Sequence, residues 1–458
     1  MTHEPGKLFF KSALTPEGWR HDVLIAIDDG WITAVEADAS PPPGVERLRG
    51  TALPGLGNVH SHGFQRAMAG LAEHGGRRDG VFWSWREVMY RLVGRLSPDD
   101  VEAVTALAFM EMLEAGFTAV GEFHYLHNDP DGAAYDAPAL LSERIAAAAA
   151  ETGIGLTLLP VFYAHGGCGG APPTEGQKRF VTSLDGFGRL LEGAAAAIAP
   201  LPDAVLGLAP HSLRAVTGEE LRSLLAVSPA SVVHIHAAEQ VLEIEEAQAA
   251  FGARPVEFLL ANAPVGANWC LVHATHMTRS ERDGLARSGA VAGLCPVTEG
   301  NLGDGIFDLP AYLAEGGRLG IGTDSNVAIS VTQELRLLEY SQRLRDQARN
   351  RAAAPNVSTG RRLFDAAASG AARALGRSVG ALAPGRRADI VVIDHDDAAL
   401  IGRQGDALLD SWIFATSGHA VSDVVVGGRH VVKNGRHIAR SEIIARWRRR
   451  AARLAEAI

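Results

Sequence analysis

Asn58-Val59-His60-Ser61-His62-Gly63 follows directly on the apolar turn Leu53-Pro54-Gly55-Leu56. Side chains alternate faces along a strand with period two, so His60 and His62, at the end of a short hydrophobic strand, point the same way. Such a pair is half of a metal site. A catalytic metal keeps about three or four protein ligands and an open position for water, so the other half is expected far down the chain, at other strand ends. Candidates are present in His234-Ile235-His236-Ala237-Ala238-Glu239, in Leu271-Val272-His273-Ala274 and in Gly320-Ile321-Gly322-Thr323-Asp324-Ser325.

Strands alternate with helices along the chain, the pattern of a parallel sheet wrapped by helices. Apolar runs bounded by polar residues place strands at 56–60, 118–123, 155–163, 205–210, 232–236, 270–274, 290–295 and 319–323. Ser97-Pro98-Asp99-Asp100 caps a helix running to about Ala115, with proline at its first position and Gly116 as its stop. Eight strands is a barrel count, and the polar residues singled out above fall at carboxyl ends of these strands, where barrel enzymes carry their chemistry. The expected fold class is α/β, a (β/α)8 TIM-like barrel over residues 51–384. Alternating runs at 8–10, 23–27, 31–35, 388–394 and 421–432 predict a small β-sandwich domain composed of residues 1–50 and 385–458.

At 458 residues the chain is long enough for a barrel plus a smaller domain. With 47% hydrophobic and 21% charged residues it reads as a soluble globular protein, and no apolar run reaches the roughly 18 to 20 residues of a membrane helix. The polar start Met1-Thr-His-Glu-Pro-Gly-Lys7 is unlike an export signal, and Cys168, Cys270 and Cys295 are too few and too scattered for a disulfide framework. A cytoplasmic setting is expected. Lys plus Arg number 43 against 53 Asp plus Glu, a net charge of −10. The basic cluster Arg446-Trp-Arg-Arg-Arg450 is read as a solvated helix face, so neither nucleic acid nor a membrane is expected as a partner.

Pro54-Gly55, His60-Ser61-His62, His236-Ala-Ala-Glu239, His273, Thr323-Asp324-Ser325 and the late Gly385-Arg-Arg-Ala-Asp389-Ile-Val-Val-Ile-Asp394 occur in that order. Together they resemble the amidohydrolase superfamily of metal-dependent hydrolytic barrels. Within it, His60-Ser-His62-Gly-Phe64-Gln65-Arg66-Ala-Met68-Ala-Gly70-Leu, with Glu334-Leu335-Arg336 and Glu339-Tyr340, is similar to the formimidoylglutamate deiminase group of histidine degradation. Asn326 stands where that pattern leads one to expect histidine. The resemblance selects His236 over His234 as a metal ligand and leaves His234 a structural role. His60, His62, His236 and Asp324 then supply borderline ligands suited to Zn2+, with Fe2+ as the other possibility. Binuclear relatives bridge two metals with a carboxylated lysine on the fourth strand. The only lysines here are Lys7, Lys11, Lys178 and Lys433, so one ion per chain is expected, as in the deaminases and chlorohydrolases.

Roles follow from that chemistry. Asp324 is expected to orient a water and take its proton, Glu239 to shuttle a proton to the leaving nitrogen, and His273 to donate to the developing tetrahedral centre. The resemblance implies a dicarboxylate amidine, N-formimidoyl-L-glutamate, as substrate and N-formyl-L-glutamate and ammonia as products. It also implies that Gln65, Arg86, Tyr125, His211 and Arg214 recognise the glutamate portion, arginine binding carboxylates in a fork geometry, and that the protein is a homodimer. A deaminase or chlorohydrolase acting on a purine, pyrimidine or triazine ring stays open, as does a noncatalytic barrel scaffold.

Overall fold

The computed structural model describes residues 6–73, 82–227, 232–417 and 420–455. Residues 1–5, in the polar start read above, lie outside the described residues, as do the side chains of residues 82–84, among them Trp83 beside the Trp85-Arg86 pair.

Parallel strands lie where the apolar runs place them. One ladder joins Leu56–Ser61, Phe117–His124, Gly155–Phe162 and the short segments Val205–Leu206 and Ala209–Pro210, which act together as the fourth strand. A second joins Val233–Ala237, Trp269–His273, Val291–Leu294 and Arg318–Ile321. Parallel bridges from Leu208 to Val233 and from Ser212 to His236 link the fourth strand to the fifth, and one from Ser61 to Asp324 links the first to the eighth. The ladders therefore close into a barrel. Barrel strands are covered on both sides, which is why their sequences run apolar without alternation; Phe117–His124, Gly155–Phe162 and Trp269–His273 are buried at every position.

Helix Pro98–Glu114 begins as its sequence predicts: Asp100 N–H donates to Ser97 Oγ at 3.3 Å, and Ser97 N–H donates to the Asp100 carboxylate at 2.8 Å. It stops at Gly116, whose φ of +97° an L side chain would resist. The helix at the other end of the barrel sequence, Thr359–Ala374, is pressed onto the eighth strand. A methyl group at Gly370 would stand 1.7 Å from the carbonyl oxygen of Leu319. That approach fixes the height at which the eighth strand delivers Asp324.

Both chain ends feed one mixed sheet of eight strands, in the order Arg436–His437, Arg429–Lys433, Val421–Val426, Ile390–Ile393, Glu46–Pro54, Gly6–Thr15, Gly18–Asp28 and Trp31–Glu36. Its own core gathers Phe10, Val23, Ile25, Ala52, Ile390 and Val392. Strand Glu46–Pro54 is followed, after Gly55 alone, by the first barrel strand. Helix Arg440–Ala455 carries the basic cluster and lies along Pro98–Glu114. Arg448 and Arg449 are exposed as expected of a solvated face, but Arg446 and Arg450 are half-buried ion-pair partners, Arg450 Nη2 lying 2.9 Å from Asp99 and Arg446 reaching Glu151. Among the described residues no helix is long and apolar enough to cross a membrane.

Gly370→Ala is expected to lose at least about 1–3 kcal/mol of stability, because backbone atoms on both sides of the contact have nowhere to go. A thermal unfolding midpoint equal to that of the parent would show that the helix lifts off the strand at no cost.

Candidate metal centre and active site

Four strand ends converge at the carboxyl mouth. His60 lies within the first strand and His62 one residue beyond it, His236 in the fifth, and Asp324 three residues past the eighth. His60 Nε2 stands 3.2 Å from His62 Nε2 and 3.1 Å from His236 Nε2, while Asp324 Oδ1 lies 3.1 Å from His62 Nε2 and 3.5 Å from His60 Nε2. All four are buried. His62 Nδ1 is 2.8 Å from the Phe123 carbonyl and His236 Nδ1 2.9 Å from the His211 carbonyl. A carbonyl only accepts, so both Nδ1 atoms carry hydrogen, which leaves each Nε2 as the ring atom that would offer its lone pair to an ion. Burial drives His60 down to about 3, and burial with the neighbouring histidines drives His236 well below its ordinary value. Burial would raise Asp324, but the His60 and His62 imidazoles against it outweigh burial and hold the carboxyl well below the usual range.

Converging imidazole lone pairs and a carboxylate repel one another unless a cation lies among them. Ligands about 2.0–2.3 Å from a tetrahedral zinc stand about 3.3–3.8 Å apart, close to the spacings here. The residues present fit a divalent ion. His234, two residues before His236, instead places Nε2 2.8 Å from the Ala374 carbonyl, which ties the fifth strand to the end of helix Thr359–Ala374.

Beside this cluster sits a second one. His273 Nδ1 is 3.3 Å from Glu299 Oε1, and its Nε2 is 3.7 Å from Glu239 Oε1 and 3.8 Å from Asp324 Oδ2. Burial would lower His273, but Glu239, Glu299 and Asp324 together hold it up at about 10. Arg214 Nη2 donates to Glu239 Oε2 at 2.9 Å. Glu243 accepts the backbone N–H groups of Ala238 and Glu239 at 3.2 and 2.9 Å, which fixes the turn that carries Glu239. Non-glycine residues with positive φ gather at these strand ends: Ala238 at +56°, His273 at +68°, Ala274 at +49°, Asp324 at +44° and Asn326 at +54°. Strain of this kind collects where side chains must be aimed rather than packed.

One cavity joins the two clusters. Its lining includes His62, His236, Glu239, His273 and Asp324 together with Gln65, Arg86, Tyr125, His211 and Arg214. His60 alone of the candidate residues stays behind the wall. Gln65 Nε2 donates to the Tyr125 hydroxyl at 2.6 Å, and Arg86 lies in helix Phe82–Val93, with its guanidinium 5.3 Å from the centre of the Tyr90 ring. Arg86 therefore reaches the mouth from a helix after the first strand, and not from a strand end. Trp85, Tyr90, Tyr163 and Phe180 form an aromatic wall that the sequence reasoning missed. Glu299 was missed as well. Its only signal is position, four residues after Cys295 on the short helix Pro296–Leu302 that follows the seventh strand.

Residues 51–431 match the model of the amidohydrolase family. The chain belongs to the amidohydrolase family. Residues 8–49 match a further model described as the formimidoylglutamate deiminase HutF N-terminal domain. A formimidoylglutamate deiminase of Pseudomonas aeruginosa is 52% identical over 435 residues, which span 94% of this chain and 95% of that protein. An 8-oxoguanine deaminase of the same organism is 30% identical over 89% of this chain and 88% of its own. The crystal structure of an amidohydrolase from Brucella melitensis matches with a TM-score of 0.95 at 49% identity, covering 98% of this chain and 100% of its own.

In this amidohydrolase Asn326 takes a place where histidine was expected, and its contacts account for it. Asn326 Oδ1 accepts from Thr323 Oγ1 at 2.6 Å, and Nδ2 donates to Ser61 Oγ and to the His62 carbonyl, both at 3.1 Å. Thr323 Oγ1 in turn accepts from Asn58 Nδ2 at 2.6 Å, and His62 N–H donates to the Asp324 carbonyl at 2.9 Å. The amide thus stitches the first strand to the eighth at the seam where the barrel closes, beside candidate ligands from both. Asn326→Ala is expected to weaken metal retention about 10- to 100-fold in competition with a chelator. Unchanged retention in a folded variant would show that the seam does not set the spacing of the ligands.

Proposed function

We propose that the chain hydrolyses N-formimidoyl-L-glutamate to N-formyl-L-glutamate and ammonia, with His60, His62, His236 and Asp324 holding one Zn2+, or Fe2+ in its place. The observation that carries the reading is the presence of two guanidinium groups, Arg86 and Arg214, on the wall of the cavity that reaches the metal cluster. A dicarboxylate needs fixed cations, and the 52% identity to a formimidoylglutamate deiminase supports the same substrate.

When bound, the ion supplies Lewis acidity that makes water a source of hydroxide near neutral pH. Asp324 takes the water proton. The water oxygen bonds to the formimidoyl carbon, an amidinium carbon already electrophilic, and the bond to the terminal nitrogen breaks. His273, whose protonated form the Glu239, Glu299 and Asp324 carboxylates favour, donates to the tetrahedral centre. The Glu239 carboxylate attracts the amidinium, then takes the hydroxyl proton of the tetrahedral adduct and passes it to the departing nitrogen, so that ammonia leaves as the formyl carbonyl forms and the proton on Asp324 is released to solvent. Gln65, Tyr125 and His211 complete the polar lining around the glutamate portion, with Arg86 and Arg214 as its charge partners. Arg214 is already bonded to Glu239, so a substrate carboxylate arriving there shares it.

A single ion is supported by the lysine positions: none lies on the fourth strand, and Lys178 is bonded to Glu175 at 2.6 Å. The net charge of −10 supports a reading without nucleic acid, and the scattered, unpaired cysteines support a cytoplasmic setting. Homodimerisation rests on the family resemblance.

The aromatic wall favours a second reading, deamination of a stacked heterocycle. A screen of ammonia release separates the two: formimino amino acids should react, with the glutamate compound ahead of the aspartate homologue, and guanine, cytosine and adenosine should not. Turnover of a ring with none of the formimino compounds would replace the first reading by the second. Glu239→Gln should cost about 10²–10⁴ in kcat while bound metal, measured by elemental analysis, stays at the parent level.

A further inference from the structure

Cys295 follows directly on the seventh strand and has no part in the chemistry above. Its Sγ, a ring nitrogen of His273 and a carboxylate oxygen of Asp324 all lie within 4.8 Å of one another, and all three residues are buried. Asp324 divides its carboxylate between two neighbourhoods: Oδ1 faces His62 and His60, whereas Oδ2 faces His273 Nε2 at 3.8 Å. That spacing is one that two ligands of a single tetrahedral ion would show, about 3.3–3.8 Å. His273 Nε2 is fully buried and lacks a hydrogen-bond partner, although the ring is held from behind by Glu299 at Nδ1. A carboxylate behind a histidine is the usual support of a metal-binding imidazole. Glu299 Oε1 also accepts the backbone N–H of Cys295 at 2.8 Å, so one carboxylate positions two of the three ligands.

We propose that Cys295, His273 and Asp324 form a second, inhibitory site for a soft divalent cation, filled when zinc or cadmium is present beyond what the histidine cluster takes. Thiolate sulfur selects soft ions over magnesium or calcium. Binding releases the thiol proton, together with any proton on His273 Nε2, and forms bonds from sulfur, nitrogen and oxygen to the ion. Occupation removes the His273 nitrogen that faces substrate, so turnover falls although the first ion stays in place. The site is independent of which amidine is the substrate.

The test uses the full chain loaded with one zinc per protomer and titrated with cadmium. It follows thiolate-to-cadmium charge-transfer absorption, zinc and cadmium content, and ammonia release. The parent should keep its zinc, take up one cadmium with the absorption band, and lose most of its activity. Cys295→Ser should retain activity without added cadmium, show no band and tolerate at least about 10-fold more cadmium; Cys295→Ala serves the same purpose if the serine variant does not fold. Cys168→Ser, altered at a half-buried thiol elsewhere on the chain, should behave like the parent. Cadmium that only exchanges with zinc, fails to bind, or inhibits the Cys295 variants as strongly as the parent overturns the proposal, as does a band abolished by Cys168→Ser. Band and metal content are read without substrate, so they stand even if the formimidoylglutamate reading fails.

Discussion

Mutual repulsion among buried imidazole lone pairs and one carboxylate is the constraint around which the molecule is arranged. His60, His62 and His236 bring their Nε2 atoms to 3.1–3.2 Å along the two closest edges, with Asp324 at 3.1 Å from His62. A protein interior tolerates such a cluster only with a cation in it or with strong external restraint. The restraint is visible in the carbonyls of Phe123 and His211, which hold two rings by their far nitrogens. It is visible again in the left-handed backbone at Asp324 and Asn326.

Closure of the barrel and convergence of the histidine–aspartate cluster rest on the same contacts. The residues of that cluster come from the first, fifth and eighth strands, and the junction of eighth with first runs through Asn58, Thr323, Asn326 and Ser61. On the outer side, helix Thr359–Ala374 lies so close to the eighth strand that Gly370 has no room for a methyl group. Position at the site is therefore set partly by backbone contact on the far side of the strand, through a helix with no catalytic residue of its own.

Much of this was legible in the sequence because its signals are local. Barrel strands are buried on both faces, so runs such as Leu158-Leu159-Pro160-Val161-Phe162 announce themselves, and two histidines two residues apart must share a face. Capping of helix Pro98–Glu114 was equally local. What could not be read depends on distance across the fold. Glu299 meets His273, Arg214 meets Glu239, and Tyr90 meets Phe180 around one cavity only after the strands are in register. Asn326 looked like a departure from pattern because its partners, Ser61 and the His62 carbonyl, are more than 260 residues away. The basic cluster near the carboxyl terminus misled in part, since composition cannot say which arginines of a helix find acids on a neighbour.

The bond between Arg214 and Glu239 has an evolutionary corollary. The guanidinium suited to sensing a ligand's charge is fastened to the carboxylate suited to moving protons, so selectivity and reactivity do not vary as separate traits. A descendant that exchanged Arg214 for an apolar residue to admit a neutral ring would at the same stroke strip Glu239 of its counterion. It would then have to rebuild that electrostatic balance before the new pocket was of any use. Lineages that share this barrel would accordingly diverge by coordinated replacements at the mouth, with few viable intermediates that alter specificity alone.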